Sequence, residues 1–189
     1  MSSYEFRRIA DEKLEGKWSE TAVAYFVFSL IVSAVTSFAG IGILILGGPL
    51  YLGYAMFIDE IDRGGRPDIA TLFKGFNGKI EKPILLGLLS QVYLFLWSLL
   101  FLIPGIIKSY SYSMIYFIQM ENPDMHYEDI ITKSRKMMDG HKWQLFCLHL
   151  SYIGWWILCA LTFGILSFWV MPKVHLATYE FYRELKTIG

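Results

Sequence analysis

Polar and apolar residues alternate along this chain in blocks. Three hydrophobic blocks, about Thr21–Ile61, Ile80–Glu121 and Trp143–Leu185, each follow a short charged segment. No Asp, Glu, Lys or Arg occurs between Thr21 and Ile58 or between Trp143 and Pro172, and Lys108 is the only one between Ile84 and Met120. Each block is roughly 40 residues, the length of two membrane spans of about 20. The pattern therefore predicts an all-α polytopic membrane protein, with six transmembrane helices arranged as three hairpins. The turns fall near Gly40, Pro104-Gly105 and Gly164.

The charged segments place apolar residues at helical spacing: Phe6, Ile9, Ala10 and Leu14, then Ile69, Leu72, Phe73 and Phe76, then Ile130, Met137 and Met138. Ser134 interrupts the third stripe. One-faced helices of this kind either lie in the membrane interface or cap the bundle. Each segment ends at a glycine, and Gly16, Gly78 and Gly140 are 62 residues apart. Those glycines are expected in the left-handed position that closes a helix. The reading is a threefold repeat within one integral membrane domain, residues 1–189, with units of about 4–61, 67–121 and 126–185.

Prolines and serines interrupt the second helix of each hairpin. Pro49 and Pro172 lie well inside theirs and predict kinks or local breaks. The middle hairpin has Ser109, Ser111 and Ser113 interleaved with Tyr110 and Tyr112, and serines there bond back to helix carbonyls or across to a neighbour.

Composition agrees with the membrane class: 54% of the 189 residues are hydrophobic and mean hydropathy is +0.41. Net charge is zero, which argues against nucleic acid as a partner. Fifteen of the 17 basic residues lie in the terminal and connecting segments, so the positive-inside rule puts both termini in the cytoplasm. The N-terminus is polar and predicts no cleavable signal peptide. Cys147 and Cys159 are too far apart along one helix to bridge, and read as structural thiols.

The segments LIPGIIKSYSYSM (Leu102–Met114), SRKMMDGHKWQLF (Ser134–Phe146) and LSYIGWWIL (Leu150–Leu158) resemble the signatures of a group of bacterial multi-pass membrane proteins, catalogued as domain of unknown function nine-seven-five. GGPLYLGY (Gly47–Tyr54) fits the same group. The resemblance implies a bacterial cytoplasmic membrane and carries no known chemistry.

Lys108 reads as a cation one turn from the outer end of its hairpin. It either snorkels to the headgroups or, with Tyr110 and Tyr112, holds an anionic headgroup or carboxylate. Lys173, with His175 two residues on and His149 on the preceding helix, lies deeper by the same arithmetic. It marks a functional position if it lies within the apolar region and is another interfacial lysine if the turn lies closer to Pro172. Around His126, the acids Glu121, Asp124, Glu128 and Asp129 match no standard ligand spacing and read as a solvated loop, so no metal or cofactor is expected. No catalytic motif or intramembrane acid pair is present. The expected role is non-enzymatic: binding of membrane lipids or of a membrane peptide or protein. The alternative is a small transporter or channel for an anionic solute.

Overall fold

The structure is a computed structural model that describes residues 1–37, 41–78, 80–100 and 102–188. Among these the fold is all-helical: ten α-helices, one 3₁₀ helix and no strand. Two helices are each long and apolar enough to cross a membrane, over Trp18–Thr36 and Gly42–Asp62, and counting two bent helix pairs as single spans raises the number to four.

Helix α1 (Ser3–Leu14) starts from a capping box. The Ser2 hydroxyl accepts from the Glu5 amide at 3.3 Å, and the Glu5 carboxylate accepts from the Ser2 amide at 2.6 Å. Its Phe6, Ala10 and Leu14 are fully buried. That stripe faces protein, with Phe6 edge-on to Phe181 of the last helix. After Gly16, α2 (Trp18–Ser37) and α3 (Ile41–Asp62) form the first apolar pair. The turn expected at Gly40 lies outside the described residues.

The second charged segment departs from expectation. It is a 3₁₀ helix, Ile69–Phe76, that buries Thr71, Leu72 and Gly75, while Ile69 and Phe73 are exposed. The inward face is set by Gly75, whose backbone lies against Pro49 of α3; a Cβ there would be 2.0 Å from the Pro49 carbonyl oxygen. Even so, Gly16, Gly78 and Gly140 all take left-handed φ, at 75°, 84° and 78°.

Helix α4 (Glu81–Leu100) is followed by α5 (Leu102–Ser111), so Pro104 and Gly105 lie in the first turn of the second helix. Proline is tolerated there because the first amides of a helix lack intrahelical partners. The chain then breaks at Tyr112–Met114 before α6 (Ile115–Glu121). The serines bond back as expected: Ser109, Ser111 and Ser113 donate to the carbonyls of Ile106, Ile107 and Tyr110. Ser134, on α7 (Tyr127–Met137), is fully buried and donates to the Ser111 carbonyl at 2.8 Å. It thereby satisfies a helix-end acceptor that α5 leaves open. Ser134→Ala should cost about 1 kcal/mol of stability, read as a lower unfolding temperature in detergent.

In the last apolar stretch α8 (Lys142–Leu150) and α9 (Ile153–Leu161) meet at a 43° bend. Helix α10 (Ser167–Ile188) returns after a turn at Phe163-Gly164, where φ is 50° and 84°. The Gly164 turn therefore stands where the block length put it. Of the kinks or local breaks expected at the prolines, no break occurs: α3 runs through Pro49 and α10 through Pro172. The chain instead breaks at Tyr112–Met114 and bends at Ser151-Tyr152, where no proline is present. Cys159 is buried and Cys147 half-buried, and both are free thiols.

Candidate functional site

A cavity of about 420 Å³ lies among α3, α6, α8, α9 and α10, lined mainly by aromatic and aliphatic side chains. Helix α3 brings Tyr54 to it, α6 brings Tyr116, α8 His149, α9 Trp156, and α10 His175 and Thr178. Tyr54 stacks on Phe28 at 4.7 Å and meets His175 edge-on at 5.0 Å. Its ring is 3% exposed, and among the described residues its hydroxyl has no hydrogen-bond partner. A buried hydroxyl without a partner is costly, so it points to a group that completes it.

At the cavity edge the polar groups form a chain. The Thr178 hydroxyl donates to the Val174 carbonyl at 2.7 Å, which leaves its oxygen to accept from His149 Nε2 at 3.2 Å. That assignment makes Nδ1 the acceptor, and the Tyr110 hydroxyl donates to it at 3.4 Å.

The five residues singled out from the sequence fall in three places. His175 lines the cavity and Tyr110 reaches its edge through His149. Lys108 and Tyr112 share a separate groove of about 350 Å³ with Trp97, Glu128 and Arg135. There the Lys108 ammonium sits 4.5 Å above the Trp97 ring. Lys108 is thus within reach of the basic connector helix α7, and it does not stand alone at the far end of a hairpin.

Lys173 lies apart from both. It is paired with an acid from outside its own block: its Nζ is 2.5 Å from Asp11 Oδ1, and it lies 4.9 Å and 5.0 Å from the rings of Trp18 and Trp155. The partner comes from α1, more than 160 positions earlier in the chain, which spacing within one block could not reveal. It does not face the cavity beside His175.

Tyr54, Tyr116, Trp156 and Thr178 were missed from the sequence. Their apolar neighbours make each look like an ordinary core position, and the signals that could have found them were Tyr54 as the last residue of GGPLYLGY and Trp156 within LSYIGWWIL. Glu121, weighed earlier as part of a solvated acidic loop, is held by the Tyr182 hydroxyl and the Lys186 ammonium, both at 2.8 Å. The acids after the second apolar stretch divide their partners: Asp59 takes Arg63 at 2.9 Å and the Tyr179 hydroxyl, whereas Asp62 takes Lys13 and Arg183.

No curated protein and no solved structure matches the chain. A family model does match, over residues 99–188, and it is described as a protein of unknown function, DUF975. Three of the four segments that carried the resemblance lie inside that stretch, and Gly47–Tyr54 lies outside it. Residues 99–188, just under half of the chain, are thus similar to DUF975, a family whose function is unknown.

Proposed function

We propose that the protein is a non-enzymatic integral membrane protein that binds a lipid, or the apolar part of a membrane-bound peptide, in the cavity among α3, α6, α8, α9 and α10. The observation that carries this reading is the buried, unpartnered Tyr54 hydroxyl on the wall of a cavity otherwise suited to hydrocarbon. In this proposal the three apolar hairpins descend from a common repeat and are rooted on the basic side. Both termini are cytoplasmic and the host is a bacterial cell membrane. Transport is the rival, favoured by helix interruptions at Tyr112–Met114 and Ser151-Tyr152 within apolar stretches. An anion path using both lysines is disfavoured, because Lys108 and Lys173 share no cavity.

Native mass spectrometry of the protein in mild detergent tests the binding reading. The wild-type chain should retain a lipid or peptide. Tyr54→Phe, which removes only the hydroxyl, should weaken retention by up to about tenfold, the equivalent of one hydrogen bond. Equal retention by a folded Tyr54→Phe and by Ala55→Phe, which fills the same wall, would remove the cavity from consideration.

A further inference from the structure

The third hairpin has an internal depth gauge. Trp155 and Lys173 stand nine residues before and nine residues after Gly164, and they face one another across the hairpin, with Lys173 Nζ 5.0 Å from the Trp155 ring. At that level Lys173 is also paired with Asp11 and lies over Trp18, the first residue of α2. Tryptophan rings around a lysine mark a membrane–water boundary. The charges of α1 make the same point independently: Arg8 and Glu12 are about 60% exposed and Asp11 about half. Exposed charges do not sit in hydrocarbon. The Lys173 level is therefore the edge of the apolar layer.

Nine helical residues reach about 13 Å beyond that edge, against a hydrocarbon core of roughly 30 Å. To span it, the hairpin would have to draw Asp11 and its neighbours about one more half-thickness into the lipid. The tip itself is built for hydrocarbon. Phe163 is 97% exposed, Leu161 71% and Ile165 63%, and no charged residue occurs from Trp143 to Pro172.

Its amides also meet the condition that lipid imposes on a turn, that donors be satisfied internally. The amides of Thr162, Phe163, Gly164 and Ile165 donate to the carbonyls of Leu158, Ala160, Cys159 and Thr162. Those of Ser167 and Phe168 donate to Gly164 and Ile165. The remaining amide, of Leu166, donates to the Thr162 hydroxyl at 3.3 Å.

We infer that the third hairpin does not cross the membrane. It is a re-entrant wedge that enters the leaflet on the α1 side, ends near the bilayer centre at Phe163-Gly164 and returns. Both termini stay on one side under this arrangement, since a re-entrant pair, like a full hairpin, brings the chain back to where it entered.

The full-length chain with Phe163→Cys, in a background of Cys147→Ser and Cys159→Ala, tests this after bimane labelling and reconstitution into phosphatidylcholine vesicles. Phe163 is so exposed that the substitution removes no packing, and Leu161→Cys serves as a second position. Lipids brominated near the chain ends should quench both labels several-fold more than lipids brominated near the headgroup. An impermeant maleimide should modify neither cysteine from either side of the vesicle. Modification from the side opposite α1, with quenching by headgroup-proximal bromines, would show a crossing hairpin and overturn the inference. Modification from the α1 side without quenching would show a hairpin outside the bilayer and overturn it equally.

Discussion

Gly53→Ala should cost the protein its fold. A Cβ at Gly53 would sit 1.9 Å from the Leu72 carbonyl oxygen of the 3₁₀ helix, and one at Gly48 would sit 1.9 Å from the Pro83 carbonyl oxygen of α4. At Gly87 the nearest atom would be the Gly48 Cα, 2.9 Å away. These are contacts between backbones, so no side chain can turn aside to make room. Small residues permit this approach where helices meet in membranes, and close packing is what holds them together there. Even one methyl group must push α3 away from its neighbours along its length. The expected loss is several kcal/mol, a large share of the roughly 5–15 kcal/mol that holds a domain folded. It should appear as a collapse in the yield of monodisperse protein in mild detergent. Gly154→Ala is the control, because nothing lies within 4 Å of a Cβ at that position. If Gly53→Ala purified and melted like the parent, α3 and the 3₁₀ helix could not be in backbone contact.

Asp62→Ala should give the second-largest loss, about 3 kcal/mol, the low end for removing one partner of a buried ion pair because Lys13 and Arg183 are partly exposed. The Asp62 side chain is only 4% exposed and holds Lys13 of α1 on one side and Arg183 of α10, at 2.7 Å, on the other. Glu180, in the charged end of α10 beyond its apolar half, contacts the same Lys13 ammonium. Burial, with Asp62 close by, pushes the Glu180 carboxyl up to about 7. The cluster thus ties α1, α3 and α10 together where their apolar surfaces end. Faster amide hydrogen exchange in α1 should accompany the lower unfolding temperature. Arg8→Ala breaks only an exposed pair with Glu12 at 3.4 Å and should change stability by under about 1 kcal/mol. Equal effects of Asp62→Ala and Arg8→Ala would mean that the buried cluster does not anchor α1.

The membrane class, the helical class and several boundaries were determined by the sequence itself, because each rests on local chemistry. Charge-free stretches of this length favour membrane helices, and Gly16, Gly78 and Gly140 take left-handed φ as their positions required. The Phe6, Ala10 and Leu14 stripe was legible because helical periodicity shows which residues share a face. What that stripe packs against was not, and tertiary structure alone supplied Phe181. Pro49 and Pro172 did not mark helix ends, since α3 and α10 run through both. The hidden role of Ser134 depended on a carbonyl 23 residues away. Lys173 shows the difference most plainly. Its depth was inferred from its distance to a turn along one hairpin, but its environment is set by Asp11 and Trp18 from the other end of the chain. Periodicity and hydropathy describe what a segment can bury. Which groups meet across the cavity, or pair at its edge, depends on contacts between segments far apart in the chain, and those form only when the helices pack.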